Sequence, residues 1–223
     1  MAEYVVEFGK DRRAEADGRL DAAAFHRNHA PIWAVLQPFL AGKTGDVLEA
    51  GSGTGQHVVH FARNSAGVTW WPSDPNEAHL NSIAAWRTHA DLPNIRSPLR
   101  IDVSDPAWDA AMAAAGGPQK LLAIFCANVI HIAPWRVAEG LFAGAGRALR
   151  DDGRLFVYGP FKRDGRHIAV SNAAFDASLR ENNPEWGVRD IADLEKLATA
   201  NALRLANAFE MPANNMILMF IRS

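Results

Sequence analysis

The sequence predicts an α/β fold: a mostly parallel sheet with helices on both faces, ending in an antiparallel C-terminal hairpin strand. Three observations predict it. From residue 46 to residue 159, segments of strand character alternate with segments of helical spacing, which implies a parallel sheet covered on both sides. The run KLLAIFCAN (120–128) is the most apolar of the chain and suits a strand buried on both faces. The last two apolar segments, 203–209 and 216–221, are separated by only EMPANN, too short for a parallel crossover.

The elements follow in order. Residues 1 to about 18 carry charge clusters without a sustained period and are expected to be loosely ordered. Leu20 to Leu40 suits one or two helices, the second able to start at Pro31, where a missing N–H would be unpaired anyway. DVLEA (46–50) is a short buried strand that runs into glycines. Gly55 to Asn64 is a helix with Val58, Val59, Phe61 and Ala62 on its apolar side. GVTWW (67–71), rich in β-branched and aromatic residues, is the next strand. Pro75 to Ala90 is a helix, SPLRID (97–102) a third strand and 107–115 a short helix stopped by Gly116, Gly117 and Pro118. After the central strand come a helix at 137–149, a turn at Asp151–Gly153 and a strand RLFVYG (154–159). Helices at 170–182 and 190–200 precede the final hairpin.

Composition narrows the function. A chain of 223 residues allows one domain with its own core. Lys and Arg number 23 against 25 Asp and Glu, a net charge of −2, which argues against a duplex DNA partner. The single cysteine, Cys126, has no internal partner and fits a reducing compartment. No run approaches the roughly 20 apolar residues of a membrane span, and the N-terminus lacks the apolar stretch of a signal peptide. A soluble, cytoplasmic protein with no membrane partner is expected; its oligomeric state stays open.

Ligands of open α/β sheets bind outside the carboxyl ends of the strands, so what each strand end carries matters. The first ends LEAGSGTGQH (48–57): Gly51, Gly53 and Gly55 follow the strand and open a helix, where backbone N–H groups can approach a ligand closely. A dinucleotide fingerprint needs G-x-G-x-x-G, but its sixth position here is Gln56. The pattern is an acid, Glu49, then G-x-G-x-G. The second strand ends at Ser73 and Asp74, and Asp74 lies 23 positions past Gly51, where a nucleoside site wants a carboxylate for the ribose.

This E-x-G-x-G-x-G pattern resembles motif I of class I S-adenosylmethionine (SAM) dependent methyltransferases, and the resemblance covers most of the chain. More specifically, the set AAFHRNHAPI (23–32), LEAGSGTGQH, WWPSDPNEAHL (70–80), DVSDPAW (102–108), IFCANVIHIAPW (124–135), YGPFKRDGRH (158–167), SNAAFDASLR (171–180) and MPANN (211–215) resembles the methyltransferase-like 26 family and its bacterial relatives, long known only as a domain of unknown function. The resemblance implies a Rossmann-like class I methyltransferase fold with a seven-stranded sheet. It also implies that residues 1–42 are an N-terminal segment and helical cover over a SAM-binding domain at 43–223.

It further implies roles. Glu49 would polarise the loop or accept from the cofactor's amino group. Gly51, Ser52, Gly53, Thr54 and Gly55 would pack on its methionine and ribose part, and Asp74 would take the ribose hydroxyls. Asp102 and Val103 would meet the adenine, Asn128 would lie beside the sulfonium, and Arg27 with Asn28 would hold the carboxylate from the cover. The competing reading of Asp74, set behind the functional one, is a helix N-cap; Asp102 reads equally well as a turn or cap residue. Methyl transfer needs mostly positioning and exclusion of water. If a base is required, His131 leads, with Asn128 and Tyr158 as further catalytic candidates; a structural histidine is the competing reading. Phe161, Lys162, Arg163, Arg166, His167 and Asn214, with His131, would line the acceptor pocket. The basic cluster at 162–166 reads either as recognition of an acidic acceptor or as a solvated loop paired with Asp164.

The expected activity is methyl transfer from SAM, with S-adenosylhomocysteine (SAH) as product, to a small-molecule acceptor. A SAM- or SAH-binding protein without catalysis is one alternative and an NAD(P)-dependent oxidoreductase another, disfavoured by Gln56 and the hairpin ending. His26 with His29, and His57 with His60, could share helix faces, but no carboxylate or cysteine completes a metal set, so no metal is expected.

Overall fold

The computed structural model describes residues 12–223. Chain order is β1 (Arg12–Ala14), β2 (Leu20–Ala22), α1 (Ala23–Leu40), β3 (Gly45–Ala50), α2 (Gln56–Arg63), β4 (Val68–Ser73), α3 (Glu77–Ala90), α4 (Trp108–Ala114), β5 (Leu121–Ala127), α5 (Trp135–Ala148), β6 (Leu149–Gly159), β7 (Phe161–Arg163), β8 (Arg166–His167), α6 (Val170–Asn182), β9 (Arg189–Asp190), α7 (Ile191–Ala200), β10 (Leu203–Met211), a 3₁₀ turn (Pro212–Asn214) and β11 (Asn215–Arg222).

The main sheet has the order β10-β11-β6-β5-β3-β4. β4, β3, β5 and β6 run parallel, and β11 is antiparallel to both β6 and β10. From β3 the chain moves to β4 on one side, then to β5 and β6 on the other. The gap between β3 and β5 is therefore the point where strand order reverses and ligands are expected. β5, in the middle, is buried along all but its last residue. Alternate strand residues feed two cores. Val47 and Phe125 belong with Ile32 and Leu36 of α1 and Phe61 of α2. Leu48 and Ile124 belong with Leu141 and Phe142 of α5 and Leu194 of α7.

The sheet has six strands, not seven. Segment 95–102 meets β4 only through isolated bridges, Trp70 with Ile95 and Ser73 with Leu99. Arg96 N donates to Trp70 O at 2.9 Å and Leu99 N to Pro72 O at 2.9 Å. Between these bonds stand Pro72 on one segment and Pro98 on the other, and neither has an N–H for a continuous ladder.

Other expectations also shift. Pro31 does not start a second helix. α1 continues through Pro31 and Pro38, because Ile32, Leu36 and Leu40 keep one face buried across the break. The turn expected at 151–153 is an irregularity inside β6, which pairs Leu121 with Leu149 and Ala123 with Arg154. Of the segment expected to be loosely ordered, residues 1–11 lie outside the described residues; Arg12–Ala14 pairs antiparallel with Leu20–Ala22. Among the described residues, no helix is long and apolar enough to cross a membrane.

Side-chain clamps fasten the chain before α1 to the main domain. Leu20 N donates to Ser82 Oγ at 2.9 Å, and Trp86 Nε1 donates to Leu20 O at 2.9 Å. Ala22 N donates to Gln56 Oε1 at 2.7 Å, and Gln56 Nε2 donates to Asp21 Oδ1. α1 is thereby held over the end of β3.

Candidate active site

A cavity of about 740 Å³ opens at the carboxyl ends of β3, β5 and β6. Its roof is the start of α1, the start of α6 and the turn between β10 and β11, contributed by Arg27 and Asn28, Ser171 and Asn172, and Pro212 and Ala213.

The loop after β3 forms one wall and is laced from behind. Ser52 N donates to Ser73 O at 2.8 Å, and Ser73 Oγ donates to Glu49 O at 2.9 Å. Gly53 N donates to Asp74 Oδ2 at 3.0 Å. Ser82 Oγ donates to Thr54 O at 2.7 Å. The loop turns into α2 at Gly55, whose φ is 89°. A Cβ there would lie 2.9 Å from the Ile83 Cα, so close packing of α3 and left-handed backbone both require glycine.

Glu49 is 2% exposed on this wall, and its Oε2 has no hydrogen-bond partner. Burial, reinforced by the nearby Asp74 charge, pushes its carboxyl up to about 8. A buried carboxyl with one unpartnered oxygen on a cavity wall matches a cationic ligand group, such as the ammonium of an amino acid. The loop's glycines add no side chain to the space beside it, and a Cβ at Gly53 would meet nothing within 4 Å. These residues fit the amino acid end of SAM.

Opposite the glycine loop stand Asn128, His131 and Tyr158. Asn128 ends β5 in left-handed backbone (φ 57°), and its N–H donates to Tyr158 O at 2.9 Å. His131 is 2% exposed with Nδ1 unpartnered. Burial, with the Arg189 charge beside it, pulls its imidazole down to about 3, so it is neutral near pH 7. It packs over Gly159, where a Cβ would come 2.8 Å from His131 Cε1. Burial raises the Tyr158 phenol, an effect opposed by a hydrogen bond from Asn28 and the charge of Arg27. His57 Nε2 lies 2.8 Å from Asn28 Oδ1, so α2, the cover and β6 are joined through one asparagine.

The remaining expected residues are placed differently. Asp74 is buried behind the loop, taking Gly53 N on Oδ2, and Asn76 N at 2.9 Å and His79 Nδ1 at 3.0 Å on Oδ1. It does not cap α3; Asn76 does. Asp102 Oδ1 accepts from Ser104 N at 2.9 Å, a local turn. Val103 is 6% exposed in the core beside α5. None of these three lines the cavity, and neither does Gly55. Phe161, expected against substrate, is wholly buried in the same core. Lys162 Nζ pairs with Asp176 Oδ2 at 2.9 Å, and His167 Nε2 lies 3.2 Å from the same oxygen. Arg163 reaches toward Glu210 at 3.9 Å, and Arg166, exposed, opens β8. Lys162 lines instead a separate, shallower groove of about 750 Å³ between α6, α7 and β9. The acid that takes this loop's Lys162 is Asp176, because α6 folds back against β8; Gly165 N donates to Asp190 Oδ2. Asn214 is not on the wall itself but braces it: its carbonyl accepts from Asn172 Nδ2 at 2.9 Å, and its Nδ2 donates to Ser171 Oγ at 3.2 Å.

Sequence reasoning missed Gln56, His57, Ser171, Asn172 and Phe175. Gln56 entered only as a missing glycine, yet it clamps the cover. Asn172 and Asp176 are polar residues four apart on the buried face of α6, together with Leu179, and that pattern was a usable signal. His26, His29, His57 and His60 gather with Phe25 in edge and stacked contacts, His29 and His60 at 4.7 Å between centroids. Among the described residues, no group of three or more His, Cys, Asp or Glu is placed to hold a metal ion.

A parallel sheet that reverses order beside a glycine loop, closed by an antiparallel hairpin, defines the Rossmann-like methyltransferase class of folds. Solved structures share it. An O-methyltransferase family protein from Burkholderia thailandensis matches with a TM-score of 0.73 at 15% identity, over 90% of this chain and 57% of that one. An O-methyltransferase from Nostoc punctiforme, described as putative, matches with a TM-score of 0.70 at 14% identity, over 86% and 56%. CalO1, a methyltransferase in calicheamicin biosynthesis solved with SAH bound, matches with a TM-score of 0.63 at 16% identity, over 87% and 54%. The chain thus spans a little over half the length of these proteins. The chain itself belongs to the family described as protein of unknown function DUF938, whose model matches residues 19–222.

Proposed function

We propose that this protein is a SAM-dependent methyltransferase acting on a small-molecule acceptor. The observation that carries the reading is Glu49: a buried carboxyl with an unpartnered oxygen, at the end of β3, on the wall of a cavity at the switch point of the sheet. The segments resembling the methyltransferase-like 26 family support it, as does the fold shared with SAH-bound CalO1. When bound, SAM would supply an activated methyl group on a positive sulfur, with a good leaving group already built in.

The chain's own residues then bind and orient. Glu49 takes the ammonium of the cofactor and Arg27 its carboxylate, both by charge-assisted hydrogen bonds. Asp74, fixed on Gly53 N, holds the loop in the shape that receives the nucleoside. The cover, clamped by Gln56 and Ser82, excludes water. His131, neutral at ordinary pH, accepts a hydrogen bond from the acceptor and aligns its attacking atom. The acceptor's proton becomes strongly acidic only as its bond to the methyl carbon forms, so an imidazole of low proton affinity suffices to receive it.

Two measurements test this. SAH should raise the unfolding temperature while NAD does not, since the loop lacks the third glycine of a dinucleotide site. Methyl-labelled SAM incubated with a metabolite extract should give a labelled product only when the protein is present. Stabilisation by NAD and not SAH would overturn the reading; stabilisation by SAH without labelled product would reduce it to cofactor binding.

A further inference from the structure

Resting on that reading, we infer that the acceptor is a small uncharged molecule that offers an N–H or O–H donor to Asn172, which acts as the specificity-determining residue. The argument starts from a charge count. Among the described residues lining the cavity, the Lys, Arg, Asp and Glu side chains are Arg27 and Glu49. Both are matched by the two charged ends of the cofactor's amino acid portion. What remains for the acceptor is a wall of Asn128, His131, Tyr158, Ser171, Asn172 and Phe175. Its imidazole stays neutral for want of solvation, and the nearest basic residue on the following loop, Lys162, faces away onto Asp176. An ionised acceptor would leave water here with no counter-charge from the protein's own side chains, at a cost of several kcal/mol.

Asn172 gives this wall its direction. It is 5% exposed. Its Nδ2 donates to the Asn214 carbonyl at 2.9 Å, and a carbonyl can only accept, so the amide cannot turn over. Its Oδ1 takes no hydrogen bond from the described residues, although the residue lines the cavity. The oxygen is therefore a fixed acceptor with its partner still to come. A ligand donor satisfies it; a ligand carboxylate would set two acceptors against each other. The ring of Phe175, 5.8 Å from the His131 ring, offers the apolar face of the same pocket.

The test uses three probes of one shape and three charges: benzamide (neutral, N–H donor), benzoate (anion) and benzamidine (cation). Calorimetry first establishes that SAH binds; failure there sinks the methyltransferase reading itself. On the SAH complex, saturation-transfer NMR should rank benzamide above both charged probes, with competition confirming a common site. Asn172→Asp should move the preference toward benzamidine by about tenfold, the worth of one charge-assisted pair. Ser171→Asp, which still lets Asn214 donate to residue 171, should move it the same way and stands in should N172D fail to fold. Benzoate leading in the wild type would show that Arg27 or the first turn of α6 serves the acceptor, and would overturn the inference. So would benzamidine leading, a ranking unmoved in a folded variant, or no probe binding at all beside bound SAH.

Discussion

At the end of β3 the Glu49 side chain is buried with one oxygen unpartnered, whereas just past β6 the Lys162 side chain is 18% exposed and its ammonium is already paired with Asp176. Both residues are charged in isolation and both lie near the carboxyl edge of the sheet. The sequence makes the 162–166 cluster the more conspicuous, because like charges adjoin there. The structure reverses that order. Asp176 collects Lys162, His167 and Arg180 together with Val188 N at 2.7 Å, so the loop satisfies itself. Glu49 is buried with Ser52 as a partial partner and its Oε2 unmatched, a state that persists when a ligand supplies the missing charge. Unmatched burial, more than local charge density, marks the site.

The comparison can be broken most directly at Glu49. Glu49→Gln should weaken SAH by about 1.5–3 kcal/mol, roughly one to two orders of magnitude, when measured by calorimetry at pH 8. The unliganded protein should respond in the opposite sense. With its carboxyl raised to about 8 from an ordinary 4.5, the folded state keeps a proton that the unfolded chain releases. The stability from this group is full below about pH 4.5 and is lost as pH rises to about 8. E49Q should therefore be more stable than wild type at pH 8, and the gap should close toward pH 5. Wild-type SAH binding should release a proton near pH 7, read as a dependence of the binding heat on the buffer. An E49Q protein with unchanged SAH affinity would remove Glu49 from the site.

The glycine loop comes next. Gly55→Ala should cost about 2–3 kcal/mol in urea unfolding, from left-handed backbone plus the contact on Ile83 Cα. Gly53→Ala, at φ 57° with open space around its Cβ, should cost only about 1 kcal/mol while still lowering SAH affinity, because the new methyl group enters the cavity. Equal losses of stability would mean that α3 does not press on the loop as the structure shows.

Lys162 should give the smallest effect. Lys162→Met should lower stability by about 1 kcal/mol or less, since Asp176 keeps His167, Arg180 and Val188 N. SAH affinity should change less than about twofold, well under 0.5 kcal/mol. A large loss of binding or turnover would return this loop to the acceptor site and dissolve the contrast with Glu49.

How much was legible follows from the range of the interactions. DVLEA, the glycines after it and KLLAIFCAN announce themselves because a buried strand and a tight loop are local properties of chain chemistry. Asn128, His131 and Tyr158 were found as strand-end residues, and the structure brings them together because β5 and β6 are parallel neighbours. The failure of the seventh strand is half legible in 97–102, which carries Pro98; the other half is Pro72, far back on the strand it would pair with. Phe161 looked like a pocket residue because it follows a strand; its ring turns into the core. Asn172 was passed over because its value lies in Asn214, 42 residues away.

The α/β alternation, the glycine loop with its acid and the hairpin ending are written along the chain. Periodicity, φ preference and crossover length are set by neighbours along the chain, so they survive without the fold. Which charges pair within the protein and which stay open to a ligand follows from how the elements pack in space. Lys162 meets Asp176 because α6 returns against β8; Glu49 Oε2 is left unmatched because the glycine loop and cover close around it without bringing a donor there. A charge's partner is chosen by proximity in space, and no reading along the chain contains that distance.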